Sequence, residues 1–157
     1  MTATVKLARA LYETILRDGE KAAPREACGF LFGAPDGPIA EAVPIRNAAE
    51  EMRAESPGEF QRSAETGYVM DPKEQLRALR AADEKGFTVR GVYHSHVEVG
   101  AYFSAEDRTR ALFDGEPMFP DAVWVVADIR QKRGVGAKAF AWNPSGREFV
   151  EIALEII

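Results

Sequence analysis

Cysteine and histidine are scarce in this chain of 157 residues, which has one of the first and two of the second. The single Cys28 excludes an internal disulfide, which favours a reducing, intracellular compartment, and we expect a cytoplasmic protein. Long apolar runs are also missing. No stretch approaches the ~20 apolar residues of a membrane-spanning helix, and the N-terminus lacks the apolar segment of a signal peptide, so no membrane partner is expected.

An excess of positive charge is absent too, since the formal net charge is −5 and the sequence pI is near 5.2. The basic residues are interleaved with acidic ones and form no patch for a polyanion, so no nucleic-acid partner is expected. Hydrophobic residues make up 46% of the chain, which is enough for one substantial core at this length. We therefore predict a single domain over residues 1–157.

The apolar spacing predicts strands that alternate with helices in the first two-thirds of the chain and follow one another in the last third. The predicted helices run from Val5 to about Lys21, from an Asp71 cap with Pro72 at its first position to Gly86, and from Ser104 to Phe113. The predicted strands cover 28–33, 38–46, 88–93, 122–129, 137–143 and 147–156. This order predicts an α/β fold in which helices flank a mixed β-sheet.

Both histidines lie in the stretch YHSHVEVGAYFSAED, from Tyr93 to Asp107. If the preceding strand continues through them, His94 and His96 project from one face while Ser95 points to the other. Two adjacent imidazoles suit a divalent metal such as zinc. The alternative is that they are ordinary surface histidines.

Ser104 and Asp107 follow the histidine pair in the sequence, and Glu26 precedes it. Ser104 is typical of a helix N-cap with acidic residues in the first turn, yet a helix beginning there also holds Asp107 within reach of the histidines. Two histidines and one aspartate would leave the fourth zinc position open, as in catalytic sites. Such a reaction needs a proton acceptor, and Glu26 precedes a predicted strand beside the histidine strand; the alternative is an exposed loop acid.

His94-Ser95-His96, seven residues, Ser104, two residues and Asp107, with Glu26 in the context Glu-x-Cys-Gly-x-Leu-x-Gly, together resemble the JAMM (MPN+) metalloprotease motif. The resemblance implies a cytidine-deaminase-like mixed α/β fold, one catalytic zinc, and hydrolysis of peptide or isopeptide bonds after the C-terminus of ubiquitin-like proteins. It also implies zinc ligation by the two histidines and Asp107, water activation by Glu26, and a hydrogen bond from Ser104 to the tetrahedral oxyanion.

The motif departs from the family pattern at two positions, where Val97 and Phe103 stand in place of prolines. The ligand spacing is unchanged, but the shape of the connecting loop is then open. Glu98 lies near the histidines in sequence, and we interpret it as a solvated side chain rather than a ligand. Cys28, small and inside an apolar strand, is interpreted as a packing residue.

The small size resembles the stand-alone prokaryotic branch of the family, which implies a small ubiquitin-fold sulfur carrier ending in Gly-Gly as partner and substrate. The polar segment Asn47–Thr66 is then a candidate wall of the substrate groove, or else a flexible insertion. A homodimer through the N-terminal helix stays open. Two other functions are weighed: a non-catalytic MPN-type binding module and a zinc hydrolase of a small amide. A nucleoside deaminase is disfavoured because its cysteine-rich ligand set is absent.

Overall fold

A computed structural model describes residues 4–60 and 62–157. The strands, in chain order, are β1 (Thr4–Leu7), β2 (Cys28–Gly33), β3 (Ile39–Ile45), β4 (Thr88–Val97), β5 (Leu112–Phe113), β6 (Glu116–Pro117), β7 (Val123–Arg130), β8 (Arg133–Asn143) and β9 (Glu148–Ile156). The helices are α1 (Arg9–Ala22), α2 (Ala49–Glu55), α3 (Pro72–Glu84) and α4 (Ala105–Ala111).

Seven of the strands form one sheet in the order β1-β9-β8-β7-β4-β2-β3, and β5 and β6 form a separate hairpin. The pairs β1/β9 and β4/β7 are parallel, and the other neighbours in the large sheet are antiparallel. The expected mixed sheet flanked by helices is therefore confirmed. The expected pairing of the strand after Glu26 with the histidine strand is confirmed as well, because β2 lies directly beside β4.

The first predicted helix begins too early. Val5 and Leu7 are buried while Thr4 and Lys6 are exposed, which is the alternation of a strand, and this strand pairs with the last four residues of β9. The helix itself begins at Arg9. The error has a simple cause: the partner strand is almost the whole chain away in sequence, so local spacing alone could not separate a short strand from the helix that follows it.

Two other predicted elements also differ. The helix predicted from Ser104 to Phe113 ends at Ala111, because the next residues pair in the β5–β6 hairpin around an Asp114-Gly115 turn. Both turn residues have positive φ, 53° and 77°, the backbone that such tight turns require. The segment Asn47–Thr66, expected to be a loop, contains the helix α2; Gln61 within it lies outside the described residues.

The two faces of the sheet are covered by different helices. Helix α1 packs its apolar side on one face, where Ile15 joins a core cluster with Leu31, Tyr93 and Val125. The other face carries a second cluster, into which α3 and α4 pack. The buried residues of this second cluster are Cys28, Phe30, Phe32, Ile45, Ala82, Val92, Ala111, Ala122, Trp124, Val126 and Phe140. Because β4 alternates, Tyr93 and Ser95 lie toward α1, and the two histidines lie on the opposite face.

The longest helix of the described chain, α1, has 14 residues. Among residues 4–60 and 62–157, no helix has both the length and the apolar character needed to cross a bilayer.

Candidate metal centre

The two histidines lie near the end of β4, in the middle of the sheet. His94 is paired with Cys28 of β2 on one side and with Val126 of β7 on the other. His94 is 0% and His96 3% exposed, and their Nε2 atoms are 3.3 Å apart. The strand geometry expected from the His-x-His spacing is present, and these are not surface histidines.

Asp107 reaches the same point from the first turn of α4. Its Oδ1 lies 3.1 Å from the Nε2 of His94, and its Oδ2 lies 3.2 Å from the Nε2 of His96. The helix start is a capping box, in which the Asp107 N–H donates to Ser104 Oγ at 3.0 Å and the Ser104 N–H donates to Asp107 Oδ2 at 2.9 Å. Asp107 can therefore cap α4 and lie beside the imidazoles at the same time, because Oδ2 accepts the Ser104 N–H while Oδ1 and Oδ2 each approach one histidine.

Glu26 joins the cluster from the residues before β2. It is buried, 4% exposed, and one of its oxygens lies within 4.8 Å of ring nitrogens of His94 and His96, an arrangement that could hold a metal ion. Its Oε1 and the Nδ1 of His94 are buried without a hydrogen-bond partner in the described part of the chain. Buried polar atoms are rarely left unpaired, so the free Oε1 of Glu26 beside the imidazoles is where an additional group would be accommodated.

The electrostatics of the cluster separate the two carboxyl groups. Burial raises the pKa of Glu26 to about 8, although attraction to His96 opposes the shift. Burial also acts to raise the pKa of Asp107, but attraction to His94 and hydrogen bonds from both imidazoles outweigh it and hold that pKa well below its usual range. The pKa of His96 is raised, because its contacts with Asp107 and Glu26 outweigh the effect of burial.

Four backbone hydrogen bonds hold Glu26 and its neighbour Ala27 in place. The N–H of Glu26 donates to Ala64 O at 2.6 Å, and its carbonyl accepts from Asn47 Nδ2 at 2.9 Å. The N–H of Ala27 donates to Ser95 Oγ at 2.7 Å, and its carbonyl accepts from the Ser95 N–H at 3.0 Å. Ser95 thus fastens the Glu26 segment to β4, on the strand that carries the histidines.

Asn47 connects three segments around Glu26. Besides Glu26 O, its amide Nδ2 donates to Gly67 O at 3.1 Å, while its Oδ1 accepts from the N–H groups of Ala49 at 3.0 Å and Val69 at 3.1 Å. Asn47 begins the polar segment predicted as a candidate groove wall or a flexible insertion, and no role in holding Glu26 was predicted for it. Only the folded chain reveals this role, because the bonded groups lie 2 to 22 residues away in sequence.

Replacing Asn47 by alanine is expected to lower the free energy of unfolding by about 2–4 kcal/mol, since partly buried N–H and C=O groups of three segments lose their partner. Urea unfolding followed by circular dichroism measures the change. Asn143→Ala is the matched control: its Oδ1 accepts one bond at an exposed turn, from the Ser145 N–H, and it should cost about 1 kcal/mol or less. Equal stability of the two variants would contradict the structural role of Asn47.

Aromatic rings lie against both histidines, and neither ring was predicted from the sequence. Tyr68 stacks on His94 with centroids 4.6 Å apart and 25° between planes, and Tyr102 approaches His96 edge-on at 4.8 Å. The Nδ1 of His96 lies 3.0 Å from Gly100 O. An N–H at that Nδ1 donates to the carbonyl and leaves the Nε2 lone pair directed at the cluster, which is the tautomer that a metal ligand needs.

Three residues near the motif, Phe103, Glu98 and Cys28, lie outside the cluster. Phe103 packs into an aromatic group, with its ring centroid 4.6 Å from that of Phe149 and 5.5 Å from that of Phe140, and this anchors the loop to the sheet. Glu98 is exposed and accepts from the Gln131 N–H at 2.6 Å, so it does not join the cluster. Cys28 is fully buried, as its packing role requires.

Comparison with known proteins places the chain in a family. A family model described as prokaryotic homologs of the JAB domain matches residues 8–143. The chain belongs to this prokaryotic JAB family. One curated relative of this JAB protein is the desampylase of Pyrococcus furiosus, which is 32% identical over 103 residues, corresponding to 66% of this chain and 59% of the relative. The chain therefore matches less than two-thirds of that relative's length.

Solved structures agree with the JAB assignment. A protein from Desulfitobacterium hafniense has a TM-score of 0.68 at 24% identity, with 98% of this chain and 92% of that chain covered. A protein from Salinibacter ruber has a TM-score of 0.64 at 27% identity, with coverage of 98% and 91%. A JAB1/MPN domain protein from Archaeoglobus fulgidus has a TM-score of 0.57 at 18% identity, with coverage of 99% and 100%. The expected JAMM/MPN-type α/β fold is confirmed.

Proposed function

We propose that this JAB protein is a zinc-dependent peptidase or isopeptidase that cuts after the C-terminal Gly-Gly of a small ubiquitin-like carrier protein. His94, His96 and Asp107 would hold the zinc, and Glu26 and Ser104 would act on the substrate. The observation that carries the proposal is the meeting of two imidazole Nε2 atoms and a carboxylate within 3.1 to 3.3 Å of one another, beside the buried Glu26.

The spacing of these atoms fits zinc. Bonds of about 2.0–2.1 Å in a tetrahedral arrangement separate the ligand atoms by about 3.3 Å. The distance of 3.3 Å between the His94 and His96 Nε2 atoms is close to that value, and Asp107 brings one carboxylate oxygen to 3.1 Å from His94 and the other to 3.2 Å from His96. Nitrogen and carboxylate donors are among those that zinc prefers. One carboxylate oxygen of Glu26 lies within 4.8 Å of ring nitrogens of both histidines, so Glu26 is close enough to act on a group that they hold.

The side chains then have distinct tasks. When bound, zinc acts as a Lewis acid that acidifies water and polarises a carbonyl oxygen. Glu26 takes a proton from the attacking water at its carboxylate and returns it to the leaving amine nitrogen. Ser104 Oγ accepts from the Asp107 N–H, which leaves its own O–H free to donate to the developing oxyanion. Ser95 and Asn47 keep the Glu26 backbone fixed for this transfer.

The substrate class follows from the relatives and the walls of the centre. The similarity to a desampylase supports a ubiquitin-like modifier protein as the substrate. The rings of Tyr68 and Tyr102 lie against the two imidazoles, and we expect them to limit the space beside the scissile bond, which favours residues without side chains, such as two glycines. We propose the segment Asn47–Thr66 as a wall of the groove, which is supported by the hydrogen bond from the Glu26 N–H to Ala64 O and by the contact of Phe60 with the Arg110 guanidinium of α4.

The test uses a ubiquitin-fold carrier whose Gly-Gly tail is extended by one residue, and mass spectrometry follows its release. We expect cleavage after the second glycine, loss of cleavage with a zinc chelator, and recovery when zinc is added back. Cleavage that continues in chelator would contradict the metal mechanism.

Removing the carrier body distinguishes the alternatives. A carrier-specific enzyme should lose most of its kcat/KM on the isolated tail peptide, because the protein contacts are gone. A small-amide hydrolase would cut the isolated tail equally well, and a non-catalytic binding module would bind the carrier without cutting it. Either result would overturn the proposed function.

A further inference from the structure

A cavity of about 240 Å³ lies beside the candidate metal centre, on the same face of the sheet. Its floor is formed by Phe30, Val92 and Trp124, each at most 4% exposed. Phe30 pairs with Val92 and Val92 with Trp124, so the three residues form one row across β2, β4 and β7. The floor belongs to the packed core, and the cavity is therefore preformed.

The register places this row next to the histidines. Cys28, His94 and Val126 form the neighbouring row. It is offset from the first row by two residues on each of the three strands, which corresponds to about 6.6 Å. Tyr68 joins the two places, because its ring lines the cavity and stacks on His94. An extended peptide advances about 3.3–3.6 Å per residue, so a residue next to the scissile bond can direct its side chain into the cavity.

The walls favour an apolar occupant. Aromatic rings and two methionines, Met70 and Met118, make up much of the lining. An apolar cavity of about 150 Å³ is enough to bind benzene, so this larger one has room for a phenyl group or a long aliphatic side chain. Met118 is half exposed at the rim, and the flexible thioether can adapt to the shape of the occupant.

Positive charge at the cavity comes from Arg110. It lies three residues after Asp107 on α4, a spacing that places both on one side of the helix. Its Nε lies 3.3 Å from Glu106 Oε1, and its guanidinium lies 4.6 Å from the centroid of the Phe60 ring, which together hold it near the rim. A guanidinium there matches a substrate carboxylate, and Glu106 neutralises part of its charge.

We propose that this cavity binds the side chain of the residue that hydrolysis releases. The released residue is aromatic or large and aliphatic, and it ends in a free α-carboxylate that Arg110 attracts. The inference rests on the proposed function: the two glycines before the scissile bond have no side chain to fill a cavity, so we assign the occupant to the leaving side.

Binding can be measured without turnover. With ¹³C-methyl-labelled methionines, N-acetylphenylalanine should shift the Met70 and Met118 signals saturably and leave the Met52 signal of α2 unchanged. N-acetylglycine, which has the carboxylate without the side chain, should shift none of them. Ala111→Leu fills the cavity from α4 and should abolish the shifts; if that variant does not fold, Met118→Trp obstructs the half-exposed rim instead. Shifts of Met52 equal to those of Met118 would overturn the assignment.

Cleavage gives the second readout. A carrier extended by one phenylalanine should exceed one extended by serine in kcat/KM by about tenfold or more, the effect of burying an aromatic side chain. The wild type should cleave a carrier whose added phenylalanine ends in a free carboxylate faster than one whose phenylalanine ends in a carboxamide. Arg110→Gln should remove this difference. Methyl shifts without cleavage of any carrier would overturn the proposed function and not the cavity's ligand class. Cleavage without methyl shifts or a phenylalanine preference would overturn this inference alone.

Discussion

Replacing Glu26 by glutamine is expected to lower turnover by about 100-fold to 10,000-fold while zinc stays bound. Glutamine has nearly the same shape as glutamate, and the backbone bonds from Ala64, Asn47 and Ser95 do not involve the side chain, so the segment should keep its position. The amide, however, cannot take a proton from water and return it to the leaving nitrogen. Turnover is measured on the extended carrier, and zinc by elemental analysis of the purified variant.

The matched control for this variant is Glu13→Gln. Glu13 is exposed on α1, which packs on the sheet face opposite the histidines, so it carries the same charge change far from the candidate centre. We expect its turnover to stay within about twofold of the wild type, because exposed charges away from the centre have small effects. An active Glu26→Gln protein would remove Glu26 from the proton-transfer role. Loss of zinc from it would indicate instead that Glu26 is a ligand.

The histidine pair could be predicted because its geometry depends on local structure. In a strand, His94 and His96 share a face for any sheet arrangement, and the N-cap signal at Ser104 sets where Asp107 lies on its helix. Glu26 required one further step, the pairing of β2 with β4, which the apolar run after it made a reasonable expectation. Each of these predictions needed a regular element and one neighbour.

The remaining features depend on contacts between distant segments. The strand β1 is defined by its pairing with β9, and Tyr68 reaches His94 from a stretch without regular structure. The Asn47 network joins residues 26, 47, 64, 67 and 69, and no periodic pattern marks it. The turn at Asp114-Gly115 was a readable signal, because that dipeptide is typical of tight hairpins, but the helical spacing before it obscured the end of α4.

Because the side chains of β4 alternate, the residues that fix this strand lie on one face of the sheet and the histidines lie on the other. Tyr93 donates a hydrogen bond to Asp18 of α1 at 2.8 Å, and Ser95 fastens the Glu26 segment, both on the α1 face. His94 and His96 lie on the other face, between the aromatic rings. The side chains that fix β4 are thus the neighbours in sequence of those that form the centre. Rigid positioning of this kind is what a catalytic site needs, since small displacements of reacting groups cost much of the rate.

Asp107→Asn is expected to weaken zinc binding by more than about 100-fold, because it removes the anionic member of the proposed ligand set. This loss should be larger than the loss caused by changing a residue that only hydrogen-bonds to a ligand. The substitution separates the two roles of Asp107. The Oδ1 of asparagine can still accept the Ser104 N–H that now bonds to Oδ2, and the backbone N–H still donates to Ser104 Oγ, so α4 should keep its start. Competition with a zinc-binding dye measures the affinity, and circular dichroism checks the helix.

Ser104→Ala is the converse variant, since it removes the cap hydroxyl and leaves the His94, His96 and Asp107 side chains intact. It should cost about 1 kcal/mol of stability and keep its zinc affinity within about tenfold of the wild type. If the role of Asp107 were only to cap α4, the asparagine variant would bind zinc as well as the wild type does, and the alanine variant would show the larger structural change. If Asp107 is a ligand, the asparagine variant binds zinc more weakly than the alanine variant while both proteins stay folded. Helix capping alone cannot produce that order.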